Sequence, residues 1–166
     1  MAKTLSRPPE AALYELDFPL WAERQAALLR AGRFDALDLD NLIEEVEDLS
    51  RRERDSVESY TETILEHLLK LAFSPAARPR RGWLVALDKQ RTRLARKLTP
   101  SLRNHLQVEL PALYAGQRRP VARQLARDHV SPNALPATCP YTLEQVLDAD
   151  WYPENTHGLT EPLEGP

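Results

Sequence analysis

Residues 40–71, DNLIEEVEDLSRRERDSVESYTETILEHLLKL, decide the fold class, because their apolar positions recur with helical period. Placed about 100° apart around an axis, Leu42, Val46, Leu49, Val57, Tyr60, Ile64 and Leu71 form one stripe, the expected core face. Glu44, Glu47, Asp48, Asp55, Glu58, Glu62 and Glu66 fall away from it. Glu47 to Arg51 and Asp48 to Arg52 add four-residue ion pairs, worth a few tenths of a kcal/mol each. Most of the acidity is therefore expected to be a solvated surface. Three groups do not comply: Glu53 projects near the middle of the stripe, and His67 and Glu45 lie on its edge. A helix break near Ser50 is the alternative that would re-aim everything after it.

Working outward, helical signals dominate the chain. A helix is expected from Asp17, whose carboxylate can cap orphan N–H groups while Pro19 occupies the first turn; Trp21, Gln25, Leu28 and Leu29 follow, and Gly32 is the natural stop. The long helix starts at Asp38, runs to about Ala72 and ends at Ser74-Pro75. Residues 78–81 read as a charged connector, and a third helix covers about Gly82 to Leu98. Thr99-Pro100 reads as a cap and first residue. Residues 101–127 are expected in two or three pieces, since Pro111, Gly116 and Pro120 interrupt them. After a loop at 131–140, Thr142 and Gln145 spell a capping box for a short helix through Asp148, with Trp151 and Tyr152 docking that end. The expectation is an all-α, single-domain bundle of about four main helices plus a short C-terminal helix, covering residues 13–153. A flexible arm at 1–12 and a flexible tail at 154–166 flank it.

Composition agrees with this class. A chain of 166 residues fits one domain; 42% of it is hydrophobic, only 7% is aromatic and it has five glycines, a balance that favours helices over a sandwich or barrel. The single Cys139 excludes an intramolecular disulfide framework. No stretch at the N-terminus reads as a signal peptide, and no window approaches the roughly 18 apolar residues of a membrane span, so a cytoplasmic location is expected. The net charge of −3 conceals an acidic segment at 38–66, a basic one at 78–127 and an acidic tail from Pro140. Mutual neutralisation across a helix pair is the favoured reading; a nucleic-acid face is the other. Lys89, Arg93, Arg96 and Lys97, with Arg118, Arg119, Arg123 and Arg127, could engage phosphates, but no aromatic residues interleave for base stacking.

The third helix has its own exception. Arg91 sits between Leu84 and Leu98 on an otherwise apolar face, with Gln90 at its margin, and a buried guanidinium must find acceptors. Antiparallel packing of the two helices leads to an expected interior network of Glu45 or Glu53, His67, Gln90 and Arg91. The alternative makes Glu45, Glu53 and His67 ligands of a divalent ion and the protein a metal-dependent hydrolase or nuclease. No Glu-x-x-His spacing supports that reading, because Ile64 stands three residues before His67. No cofactor is expected, nor any catalytic residue assigned. His105, His129 and His157 read as surface groups.

The runs LYELDFPLWAERQAALLRAGRFDALDLDNLIEEVEDL, ILEHLLKL, GWLVALDKQR and CPYTLEQVLD, in this order, resemble the bacterial family catalogued as domain of unknown function twenty-nine. The resemblance covers about Leu13 to Pro153 and implies a small helical bundle without an assigned activity. Its motifs fall on Trp21, on Asn41, Leu42, Glu44 and Glu45, on His67 to Lys70, and on Gln90 and Arg91. It also implies an uninterrupted helix where Pro111, Gly116 and Pro120 stand. The function expected from these features is a small interaction or binding module, with a protein partner or a second copy as its target and no membrane.

Overall fold

The structure, a computed structural model, describes residues 10–160. Among them are six α-helices, three single turns of 3₁₀-helix and no strand. The helices are α1 (Glu10–Leu16), α2 (Phe18–Arg30), α3 (Leu39–Phe73), α4 (Arg80–Lys97), α5 (Pro100–Leu125) and α6 (Leu143–Leu147). Their contacts divide the chain into two compact units, residues 1–52 and 53–166, and α3 contributes to both.

In the first unit only Asp17 separates α1 from α2. Its side chain accepts from the Leu20 amide and caps α2, while Pro19 stands in the first turn, where a missing N–H costs nothing. Helix α1 already begins at Glu10, so residues 10–12 are helical instead of part of an arm; Met1 to Pro9 lie outside the described residues. Gly32 ends the α2 turn at φ +67°, a left-handed conformation that a side chain would strain. Tyr14, Phe18 and Trp21 form the aromatic centre of this unit, with the Tyr14 and Trp21 rings edge to face at 4.9 Å.

The second unit packs the C-terminal half of α3 against α4, α5 and α6 through a leucine-rich core that includes Ile64, Leu68, Leu87, Leu94, Leu106 and Val146. Helix α3 is continuous through Ser50. Helix α4 starts within the expected connector, because Arg80 is buried and its Nη1 donates to the Leu71 carbonyl at 2.9 Å. Thr99 caps α5 through its hydroxyl, followed by Pro100 at the first position.

Helix α5 departs from the expected two or three pieces: it is one helix carrying Pro111 and Pro120 inside it. Each proline removes one backbone hydrogen bond and crowds the carbonyl four residues earlier. Pro111 is exposed, so water can serve the freed carbonyl of Gln107. The carbonyl facing Pro120 belongs to Gly116, a residue with open space around it and little resistance to local adjustment.

The capping box at Thr142 and Gln145 is formed in both directions, and α6 follows it. Trp151 packs edge to face on Tyr141 at 5.6 Å. Past the expected domain edge, the chain is tied to the end of α3. Asn155 Nδ2 donates to the carbonyls of Leu71 and Ser74, and both the amide and hydroxyl of Thr156 donate to the Ala72 carbonyl. These bonds satisfy acceptors that every helix leaves open at its C-terminus. Residues 161–166 lie outside the described region.

Candidate functional site

Arg91 is the most deeply placed of the polar candidates, only 4% exposed on α4. Its partners are carbonyls instead of the expected carboxylates: Nε donates to Val146 O and Nη2 to Gln145 O, both at 3.0 Å. Those oxygens belong to the last turn of α6, where a positive charge also meets the negative end of the helix dipole. The Tyr152 ring covers the guanidinium at 5.5 Å, and the Tyr152 hydroxyl donates to Asp88 at 3.1 Å. Burial pulls the Arg91 pKa below its ordinary value against the opposing fields of Tyr152, Asp88, Asp148 and Asp150. An open cleft of about 630 Å³ runs beside this contact, lined by Asp88, Arg91, Arg96, Asp150 and Tyr152 among others. Arg91 therefore fastens the C-terminal segment to α4.

The remaining candidates have separate surroundings. Glu53 is exposed and pairs with Lys97 at 3.0 Å. Glu45 accepts from the Tyr14 hydroxyl at 2.8 Å, a bond that, with the nearby acidic charge, pushes the Tyr14 pKa up to about 12. His67 is half-buried, with Nδ1 enclosed and without a hydrogen-bond partner; burial lowers its pKa, with Glu66 and Lys70 acting in opposite directions. Gln90 Oε1 is likewise enclosed without a partner. Among the described residues no group of three or more His, Cys, Asp or Glu side chains is arranged to hold a metal ion. Glu45, Glu53 and His67 thus form no ligand set there.

Several motif residues instead converge on Asp38, which the sequence marked only as a helix start. Its carboxylate accepts from Trp21 Nε1 at 3.0 Å and from Asn41 Nδ2 at 2.7 Å, and its amide donates to Gln25 Oε1 at 2.9 Å. Trp21 and Gln25 are both buried. The motif positions Trp21 and Asn41 therefore join α2 to the start of α3. Lys70 pairs with Glu66 at 2.6 Å, one turn apart on α3. His105 also differs from the surface reading: it is half-buried and meets Glu58 at 2.5 Å, linking α5 to α3. A single histidine without ligand spacing carried no sign of that contact.

The expected core stripe is not uniform in burial. Val57, Ile64 and Leu71 are buried. In the N-terminal half of α3, Leu39 is 58% exposed, Ile43 49%, Val46 64% and Leu49 60%. These four lie on one helix face. On one flank, Glu45 and Asp38 are occupied by Tyr14, Trp21 and Asn41. On the other stand Asp40, Glu44 and Glu47, all exposed. Residues 38–49 contain six acids and no lysine or arginine. Val46 and Leu49 belong to the stripe expected inside, and Leu39 and Ile43, which are not part of that stripe, extend the exposed row.

A second surface has the opposite character. A groove of about 470 Å³ near the end of α5 is lined by Arg118, Arg119, Arg123, Ala122, Pro132 and Asn133, with Ala126. Arg118 is held in place by the Leu135 and Pro136 carbonyls, its Nε lying 2.7 Å from the latter. Arg119 and Arg123 are exposed one turn apart.

Fold and site together define an all-α protein whose inward polar groups secure its helices and whose surface carries an acid-rimmed apolar helix face. The family described as Domain of unknown function DUF29 matches residues 13–152, and the chain belongs to that family. No curated protein and no solved structure was found to match it. No helix among the described residues is long and apolar enough to cross a membrane.

Proposed function

We propose that this protein is a docking module, in which the N-terminal half of α3 receives a cationic amphipathic segment of a protein partner. One observation carries the reading: Leu39, Ile43, Val46 and Leu49 form an exposed apolar row on a continuous helix, with acids along its edge. Isolated exposed apolar residues need no explanation, whereas a contiguous row rimmed by charge is the pattern of a recognition surface. Apolar burial would supply affinity, and Asp40, Glu44 and Glu47 would steer a positively charged partner and reject an acidic one. The inward contacts of Arg91, Asp38 and Asn155 support the same view, since they hold helices in place and leave the recognition chemistry to the surface.

The test uses a fluorescent lysine-leucine amphipathic helical peptide as probe, titrated with the full chain. Saturable binding is expected, weakening steeply as salt rises and lost in Val46→Asp. Because Val46 is largely exposed, that substitution should leave the circular dichroism spectrum and unfolding midpoint unchanged. Absence of binding at low salt, or binding indifferent to Val46→Asp in a folded protein, would contradict the docking function.

A further inference from the structure

We infer that the cationic surface docking on α3 is supplied by a second copy of this chain, through the arginine-rimmed groove at the end of α5. This rests on the docking role of α3. It adds the identity of the partner.

The argument is one of complementarity in charge, spacing and shape. Asp40, Glu44 and Glu47 follow each other at intervals of four and three residues, one helical turn each, along the edge of the exposed apolar row. Arg119 and Arg123 have the same one-turn interval on α5, and Arg127 continues the row into the following 3₁₀ turn. Two helices laid side by side can therefore match acid to arginine over successive turns. Beside the arginines the groove is lined by the apolar residues Ala122, Ala126 and Pro132, against which Ile43 and Val46 would pack. Arginine suits this role because its stem covers apolar surface while its planar head engages a carboxylate.

Charged neighbours of the two rows have partners within the chain. Glu45 is taken by Tyr14, Asp48 by Arg51, and Arg118 by two carbonyls. The two rows are of opposite sign, and each steps by about one helical turn. Each copy would offer one surface of each kind, so the contact is heterologous, and assembly proceeds until a ring closes or the chain of copies ends.

Sedimentation equilibrium of the full chain across a concentration series tests this directly. Wild type should self-associate at low salt and dissociate as salt is raised, because exposed ion pairs are screened. Glu44→Lys with Glu47→Lys should be monomeric, and so should Arg119→Glu with Arg123→Glu. Mixing these two reversed proteins should restore association, since every surface again meets its opposite. A wild-type protein that stays monomeric overturns the inference, and so does self-association that survives both reversals. If that monomer still binds the lysine-leucine peptide, the docking role of α3 stands and only the self-partner fails; if it binds neither, both fail. Binding of a single-stranded oligonucleotide by a monomeric wild type, lost with the arginine reversal, would assign the groove to nucleic acid and also overturn it.

Discussion

At the scale of single residues, a buried charge was legible in the sequence while its partner was not. The helical wheel placed Arg91 on an apolar face, and the need for acceptors followed. Carbonyls at the end of a helix more than fifty residues away satisfy that need as well as carboxylates do, and nothing in residue spacing distinguishes the two. Arg91→Ala should cost about 2–4 kcal/mol in urea unfolding, because it strands two carbonyls and empties the space beneath Tyr152. Arg91→Leu should cost less, since it restores packed volume; negligible losses in both would place the guanidinium outside the fold. His67 gives a second prediction. Burial favours its neutral form, so the folded protein binds its proton less readily than the unfolded chain does. Its contribution to stability is complete above the unfolded pKa of about 6.5 and diminishes as pH falls through that value toward the lower folded one. Unfolding midpoints measured from pH 7.5 to pH 5 should therefore fall less steeply in His67→Gln than in wild type. Identical slopes would show that the imidazole is solvated.

At the scale of elements, boundaries were read well wherever a local side chain makes them. Asp17, Thr99 and Thr142 cap the helices that follow, and Gly32 closes α2, all within a few residues of the cue. The readings fail where tertiary packing overrides local preference. Pro111 and Pro120 argue for breaks, but the apolar face of α5, including Leu106, Leu110, Leu113 and Val121, is buried on both sides of the prolines and keeps the helix whole. Pro111→Ala should then raise stability by about 1–3 kcal/mol, by restoring one helical hydrogen bond and relieving the crowded carbonyl. No gain in unfolding free energy would mean that α5 has already adapted to the ring. The tail failed for a related reason: Asn155 and Thr156 look like loop residues, and only the open carbonyls at the end of α3 give them a role. Asn155→Ala should cost about 1–2 kcal/mol by taking a donor from the Ser74 carbonyl and one of two donors from the Leu71 carbonyl, which Arg80 also serves, and unfolding measurements at neutral pH will check it.

At the scale of the whole molecule, the all-helical class and the family could be read from periodicity and motifs, but the division into two units could not. The apolar stripe of α3 is interrupted at residues 50–56, which hold no apolar side chain and span that division, but periodicity says only which face is apolar and not whether anything covers it. In the second unit the stripe meets the helices that bury it; in the first, Leu39, Ile43, Val46 and Leu49 remain open beside their acidic rim. Mutual neutralisation within the chain is the expected reading of the charge asymmetry, and Glu53 with Lys97 and Glu144 with Arg103 satisfy part of it. The acids at 40, 44 and 47 are outside those pairs and are the ones the proposed docking face would use. The most direct measurement places an environment-sensitive fluorophore on Val46→Cys, with Cys139 replaced by serine so that the label is unique. Raising the protein concentration, or adding the lysine-leucine peptide at low salt, should shift its emission to the blue as the apolar row leaves water, and high salt should reverse the shift. Emission that stays water-like under every one of these conditions would contradict the claim that α3 is a docking face.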